Sequence, residues 1–143
     1  MKLPESQNKE KARILLVEDD KALRRYLEVM LERAGYDVLT ASDGLEAMKL
    51  ALSSSVDLVI TDEMMPNLSG HELCRFLRNS PQLSHIPIVQ LSGMERKDAS
   101  SEAGLADAFL AKPVAAERLL ECVAGLLGRS QVSGLKSQDT SLG

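Results

Sequence analysis

The chain has 143 residues, a formal net charge of −4, 44% hydrophobic and 27% charged residues, which suits one soluble globular domain with a sizeable core and excludes a disordered chain. The acidic balance offers no basic stripe for a phosphate backbone, and no apolar run approaches the ~20 residues that span a bilayer. The start, MKLPESQNKEKAR, lacks the apolar segment of a secretory signal, so a cytoplasmic protein with no direct nucleic-acid or membrane partner is expected.

Residues 1–10 are polar and read as an N-terminal tail, and one folded domain is expected over 11–129. RILLV at 13–17 is the first candidate strand. The segment after it places Leu23, Tyr26, Leu27, Met30, Leu31 and Ala34 on one helical stripe, with Gly35 where a left-handed cap would close it. YDVLTA at 36–41 is the second strand, and a helix capped by Ser42 or Asp43 follows, expected to turn Leu45, Met48 and Leu52 inward. DLVIT at 57–61 is the third strand, and a helix over about 68–79 shows Leu73, Phe76 and Leu77 as its apolar face.

IPIVQL at 86–91 is the fourth strand, a weaker helix covers about 95–103, and DAFLA at 107–111 is the fifth strand. The last helix, about 115–127, is amphipathic through Leu119, Leu120, Val123 and Leu127. Residues 130–143, SQVSGLKSQDTSLG, read as a flexible tail or linker. Cys74 and Cys122 stand far apart with no CxxC, and His71 and His85 are isolated, so neither pair suggests a metal site.

Five β–α units in alternation imply a parallel sheet covered by helices on both faces. In such a sheet the residues that follow each strand gather along one edge, where open α/β sheets bind ligands. The first strand ends in Glu18, Asp19 and Asp20, the third in Asp62, the fourth in Ser92 and the fifth in Lys112. Neighbouring strands lie ~4.8 Å apart, so acids at the ends of the first and third could share a cation. Clustered carboxylates repel, and a hard divalent ion such as Mg2+ relieves that cost. A hydroxyl and an ammonium group beside them suit a phosphoryl group, and together the set suggests an aspartate that accepts one. Pro66 then forces the chain out of the sheet to shape the loop after Asp62.

ILLVEDD, DLVITDEMMPNLSG, IPIVQLSG and DAFLAKPV, in this order and spacing, resemble the response-regulator receiver family of two-component signalling, including its stand-alone chemotaxis-type members, over about 11–129. Each motif is weak alone, and the set is specific. The resemblance implies a flavodoxin-like, doubly wound (βα)5 fold with five parallel strands in the order 2-1-3-4-5. It implies Asp62 as the phosphorylated residue, Mg2+ as cofactor held by Glu18, Asp19, Asp62 and the Met64 carbonyl, and Ser92 and Lys112 on the phosphoryl oxygens. Asp20 is expected as a helix cap, Lys112-Pro113 as a cis peptide, and Ser92 with Phe109 as a switch pair, although a phenyl ring is equally at home as plain core.

Met64 and Met94 fall where the family varies residues that control water access. Phe109 for the frequent Tyr, Val114 after the Lys-Pro and Gln90 in a buried strand depart mildly from the family pattern. The implied partners are a histidine kinase or phosphotransfer protein and a downstream output protein or domain, met through a face made by the fourth helix, fifth strand and fifth helix. A monomer or weak phosphorylation-dependent dimer is expected, and a signalling module rather than a metabolic enzyme. The competing readings are an interaction module that works without phosphorylation and an aspartyl-phosphate phosphatase. Met64 stands where the latter would favour a second Asp.

Overall fold

The computed structural model describes residues 11–65, 67–93 and 105–128. Five strands, β1 (Arg13–Val17), β2 (Asp37–Ala41), β3 (Leu58–Asp62), β4 (Ile88–Ser92) and β5 (Ala108–Ala111), form one sheet in the order β2-β1-β3-β4-β5. Every pairing is parallel, with Val17 beside Thr61, Thr61 beside Gln90 and Gln90 beside Phe109. The helices are α1 (Lys21–Arg33), α2 (Gly44–Ser53), α3 (Gly70–Asn79) and α4 over 116–128. The helix expected at about 95–103 and both expected tails lie outside the described residues.

Local chemistry sets the helix ends. Asp20 caps α1 by accepting from Leu23 N at 3.1 Å, and Gly35, at φ 100°, takes the left-handed turn that ends it. Asp43 caps α2 by accepting from Glu46 N at 2.9 Å. Ser69 and Glu72 exchange backbone hydrogen bonds at the start of α3, a capping box that fixes where the chain leaves the loop after β3.

One core lies between the sheet and α2 and α3, built on Leu15, Val17, Val59, Ile88, Leu73 and Leu77. The other lies under α1 and α4, built on Ile14, Leu16, Ile60, Leu91, Leu27, Leu31, Leu119 and Val123. The central strands are therefore buried on both faces, as their near-continuous apolar runs require. Each such Leu, Ile or Val contributes roughly 1.5–3 kcal/mol on leaving water.

The inward stripe of α2 differs from expectation. Leu45 and Leu52 are 49% and 61% exposed, whereas Gly44, Ala47 and Ala51 are buried and Met48 is half-buried. The two stripes lie about 100° apart on a helix, and apolar spacing alone does not separate them. Close packing decides: Leu68 presses on Gly44 so tightly that a Cβ there would overlap it, and a helix that near its neighbours turns small residues inward. Tyr26, expected on the stripe of α1, is likewise 52% exposed, and that helix buries Leu27 and Leu31.

Candidate functional site

At the carboxyl edge of the sheet, β1 runs on into Glu18, whose N–H donates to Ala41 O at 3.0 Å and so keeps the residue in the ladder with β2. Its side chain has no solvent exposure, while Asp19 beside it is exposed. The turn into α1 locks this placement: Asp20 N donates to Glu18 Oε2 at 3.1 Å, and an Arg24 guanidinium N–H donates to the Glu18 carbonyl at 2.8 Å. Asp62 is the last residue of β3 and 6% exposed. Glu63 N donates both to Asp62 Oδ1 at 2.7 Å and to Leu91 O at 2.9 Å, which ties the carboxylate to the strand end.

Lys112 N donates to Ser92 O at 2.8 Å, so the ends of β4 and β5 meet, and the peptide Lys112-Pro113 is cis. Lys112 reaches back across the rim: its Nζ lies 2.8 Å from Asp62 Oδ2 and 3.5 Å from Glu18 Oε1. The longer contact is a charge interaction rather than a hydrogen bond, and Glu18 Oε1 is accordingly a buried oxygen with no hydrogen-bond partner among the described residues.

Electrostatics follow from that geometry. Burial pushes the Glu18 carboxyl up to about 7; the hydrogen bond from Asp20 N opposes this, the Asp62 charge adds to it, and the Lys112 charge opposes it. Burial by itself would lower the Lys112 ammonium, but the hydrogen bond to Asp62 and the charges of Glu18 and Asp62 outweigh it and leave the group raised. One carboxylate oxygen from each of Glu18, Asp19 and Asp62 lies within 4.8 Å of the others. Three clustered carboxylates, with an unpartnered buried oxygen on Glu18, fit a hard divalent cation.

The edge thus brings together Glu18, Asp19, Asp62 and Lys112. Ser92 is 4% exposed at the end of β4 and pairs in register with Ala111. Met64 lies in the loop after β3 with its side chain 74% exposed, and Met94 lies outside the described residues. Phe109 is half-buried two register positions before the Ser92–Ala111 pair, beside Gln90 and against the core under α2 and α3.

Several supporting residues went unread in the sequence. Gly70 approaches the Asp62 backbone so closely that a Cβ would collide with its carbonyl oxygen, and Gly70 N donates to Glu63 O at 3.0 Å to close the loop. Thr61 donates its hydroxyl to Asp62 O at 3.0 Å. Asn67, at φ 72°, donates its side-chain amide to Asp43 Oδ2 at 3.1 Å. The Ser69-x-x-Glu72 spacing was a signal that could have been found in advance; the reach of Arg24 to Glu18 had none.

A family model described as "Response regulator receiver domain" matches residues 14–124. Response regulator MprA of Mycobacterium sp. strain KMS is 43% identical over 123 residues, 82% of this chain and 51% of that protein. The alkaline phosphatase synthesis transcriptional regulatory protein PhoP of Bacillus subtilis strain 168 is 36% identical over 129 residues, 88% of this chain and 52% of that protein. The chain thus spans about half the length of these curated relatives. Among solved structures, the receiver domain of the sensor histidine kinase PA1611 of Pseudomonas aeruginosa PAO1 superposes with a TM-score of 0.76 at 27% identity, covering 82% of this chain and 98% of that one. That structure has a magnesium ion coordinated in its active-site cleft.

Proposed function

The chain belongs to the response regulator receiver domain family, and from that premise we propose that it accepts a phosphoryl group on Asp62 and signals through the change of state that follows. The observation that carries this reading is Lys112 Nζ held 2.8 Å from Asp62 Oδ2 at a rim shared with Glu18 and Asp19. An ammonium so placed stands ready to pair with the charge that arrives.

Glu18, Asp19, Asp62 and the Met64 carbonyl would hold Mg2+, which when bound offsets the repulsion among the acids and the charge of the incoming group. An Asp62 carboxylate oxygen attacks the phosphorus of a phosphohistidine. The new O–P bond forms as the P–N bond breaks, and the donor imidazole leaves with the electron pair and takes a proton from solvent. Lys112 pairs with a phosphoryl oxygen, and the Ser92 hydroxyl donates to another. Drawing Ser92 toward the phosphoryl group vacates space that Phe109 fills, which couples the rim to the face around β5 and α4.

The product is a state of the protein, so transfer and self-catalysed dephosphorylation make a signalling module and not a metabolic enzyme. We assign the receiving unit to 11–129, with 1–10 and 130–143 as tails or linkers, in the cytoplasm. A histidine kinase or phosphotransfer protein supplies the phosphoryl group. A downstream protein or domain reads the result, through a monomer or a weak phosphorylation-dependent dimer. The described residues contain no helix long and apolar enough to cross a membrane.

Transfer from a radiolabelled phosphohistidine protein tests the reading. Label should pass to this chain with Mg2+ and fail to pass to Asp62→Asn. No label on either would leave the phosphorylation-independent module in its place, and label on Asp62→Asn would put the acceptor at another residue and overturn the role given to Asp62.

A further inference from the structure

The loop after β3 is fastened to a helix it does not lead into. Asp43 uses its two carboxylate oxygens for different tasks: Oδ1 accepts from Glu46 N at 2.9 Å and caps α2, while Oδ2 accepts from the Asn67 side-chain amide at 3.1 Å. Asn67 holds φ 72°, a left-handed conformation that Asn tolerates better than most residues. Next to it Leu68 packs onto Gly44 with no room for a Cβ, so the hydrogen bond and the apolar contact seat the same stretch of loop on the same turn of α2. The far end of the loop is closed by Gly70 N on Glu63 O. Both hydrogen bonds hold the Asp43 carboxyl below its ordinary range, the one from Glu46 N more than the one from Asn67.

We propose that Asp43 and Asn67 are positioning residues for the phosphoacceptor loop, a clasp through which the first turn of α2 sets where the Met64 carbonyl lies relative to Asp62. The proposal rests on the reading of Glu18, Asp19, Asp62 and Met64 as the divalent-cation site. Of those groups, Met64 is the one carried by the loop, so a loop released from α2 spends time with that oxygen displaced. The cation then binds more weakly although every ligand is still present. Asp43 and Asn67 themselves touch neither the cation nor the phosphoryl group.

Two substitutions remove the clasp and leave the local backbone satisfied. Asp43→Ser keeps a cap acceptor for Glu46 N but has no second oxygen for Asn67. Asn67→Gly keeps an easy left-handed φ but has no amide. A third variant, Asp43→Asn with Asn67→Asp, reverses donor and acceptor at unchanged net charge and restores the bond.

The experiment is a Mg2+ titration of each full-length variant followed by backbone amide NMR, with helix content checked by circular dichroism and Asp62 phosphorylation of the wild type as control. One net hydrogen bond corresponds to about three- to tenfold in an equilibrium constant. Each single change should therefore weaken Mg2+ binding by up to about tenfold, the Ser/Gly double variant should be no weaker than either single, and the swapped pair should return to within about twofold of wild type. Unaltered affinity in both single variants, additive losses in the double variant, or a swapped pair as weak as the singles would overturn the clasp while the functional reading stands. A wild-type protein that neither binds Mg2+ nor accepts phosphate would remove that reading and the clasp with it.

Discussion

Lys112 Nζ and Asp62 Oδ2 lie 2.8 Å apart, joining the end of β5 to the end of β3 across the intervening β4. The same ammonium faces Glu18 Oε1 at 3.5 Å, so it offsets repulsion between two carboxylates that burial deprives of water. Lys112→Ala should lower the stability of the Mg2+-free protein by about 1–3 kcal/mol, below the range for a fully buried pair because Lys112 is partly exposed. Urea unfolding with and without Mg2+ checks this. Mg2+ should recover most of the loss, and equal loss in both conditions would mean that the lysine serves packing and not charge.

Glu18 gives the Mg2+-free protein a pH dependence of unusual sign for an acid. Its folded carboxyl is pushed up to about 7 from an ordinary 4.5, so between those values the folded state holds a proton that the unfolded state has released. Stability from this group is therefore present at low pH and lost as pH rises from about 4.5 to about 7, by at most about 3 kcal/mol. The melting temperature measured across that window without Mg2+ should fall more steeply for the wild type than for Glu18→Gln. Parallel curves would show that burial of Glu18 is relieved by water.

Mg2+ held by the ionised acids as proposed should raise the melting temperature at pH 7.5, because these acids meet only in the folded chain. At ten times its dissociation constant the gain is about 1.4 kcal/mol. Asp62→Asn should be more stable than wild type without Mg2+ and gain less from it. A wild-type melting temperature indifferent to Mg2+ would count against the site.

Phe109→Tyr should make the unphosphorylated protein less active. A phenyl ring enters the space beside Ser92 without a hydroxyl to desolvate, whereas a tyrosine hydroxyl favours the solvent side. On the proposed switch, the inward state should be partly populated before phosphorylation, and phosphorylation should shift that population. Relaxation-dispersion NMR of both forms without phosphate measures the minor state. Equal populations would make Phe109 core and nothing more.

The strands were legible because both faces are buried, which leaves continuous apolar runs such as ILLV at 14–17 and LVI at 58–60 that a solvated sheet would not show. The rim was legible because a parallel sheet sends every strand end to one edge, so Glu18, Asp62, Ser92 and Lys112 could be grouped before any distance was known. Burial on α2 was not legible. Leu45 and Leu52 carry the hydrophobic signal, but the approach of Leu68 to Gly44 decides which face turns inward, and that contact joins residues 24 apart in the chain. Asp43 could be read as a cap from its place before the helix, but its second oxygen and its bond to Asn67 exist only once the loop has folded back.

The most direct measurement is intact-mass analysis of the full chain after incubation with a small phosphodonor and Mg2+, followed by peptide mapping. One phosphoryl adduct is expected, stable in acid and labile in base, located at Asp62, absent from Asp62→Asn and slower to form in Lys112→Ala. No adduct under any donor, or an adduct that persists in Asp62→Asn, would contradict phosphorylation at Asp62.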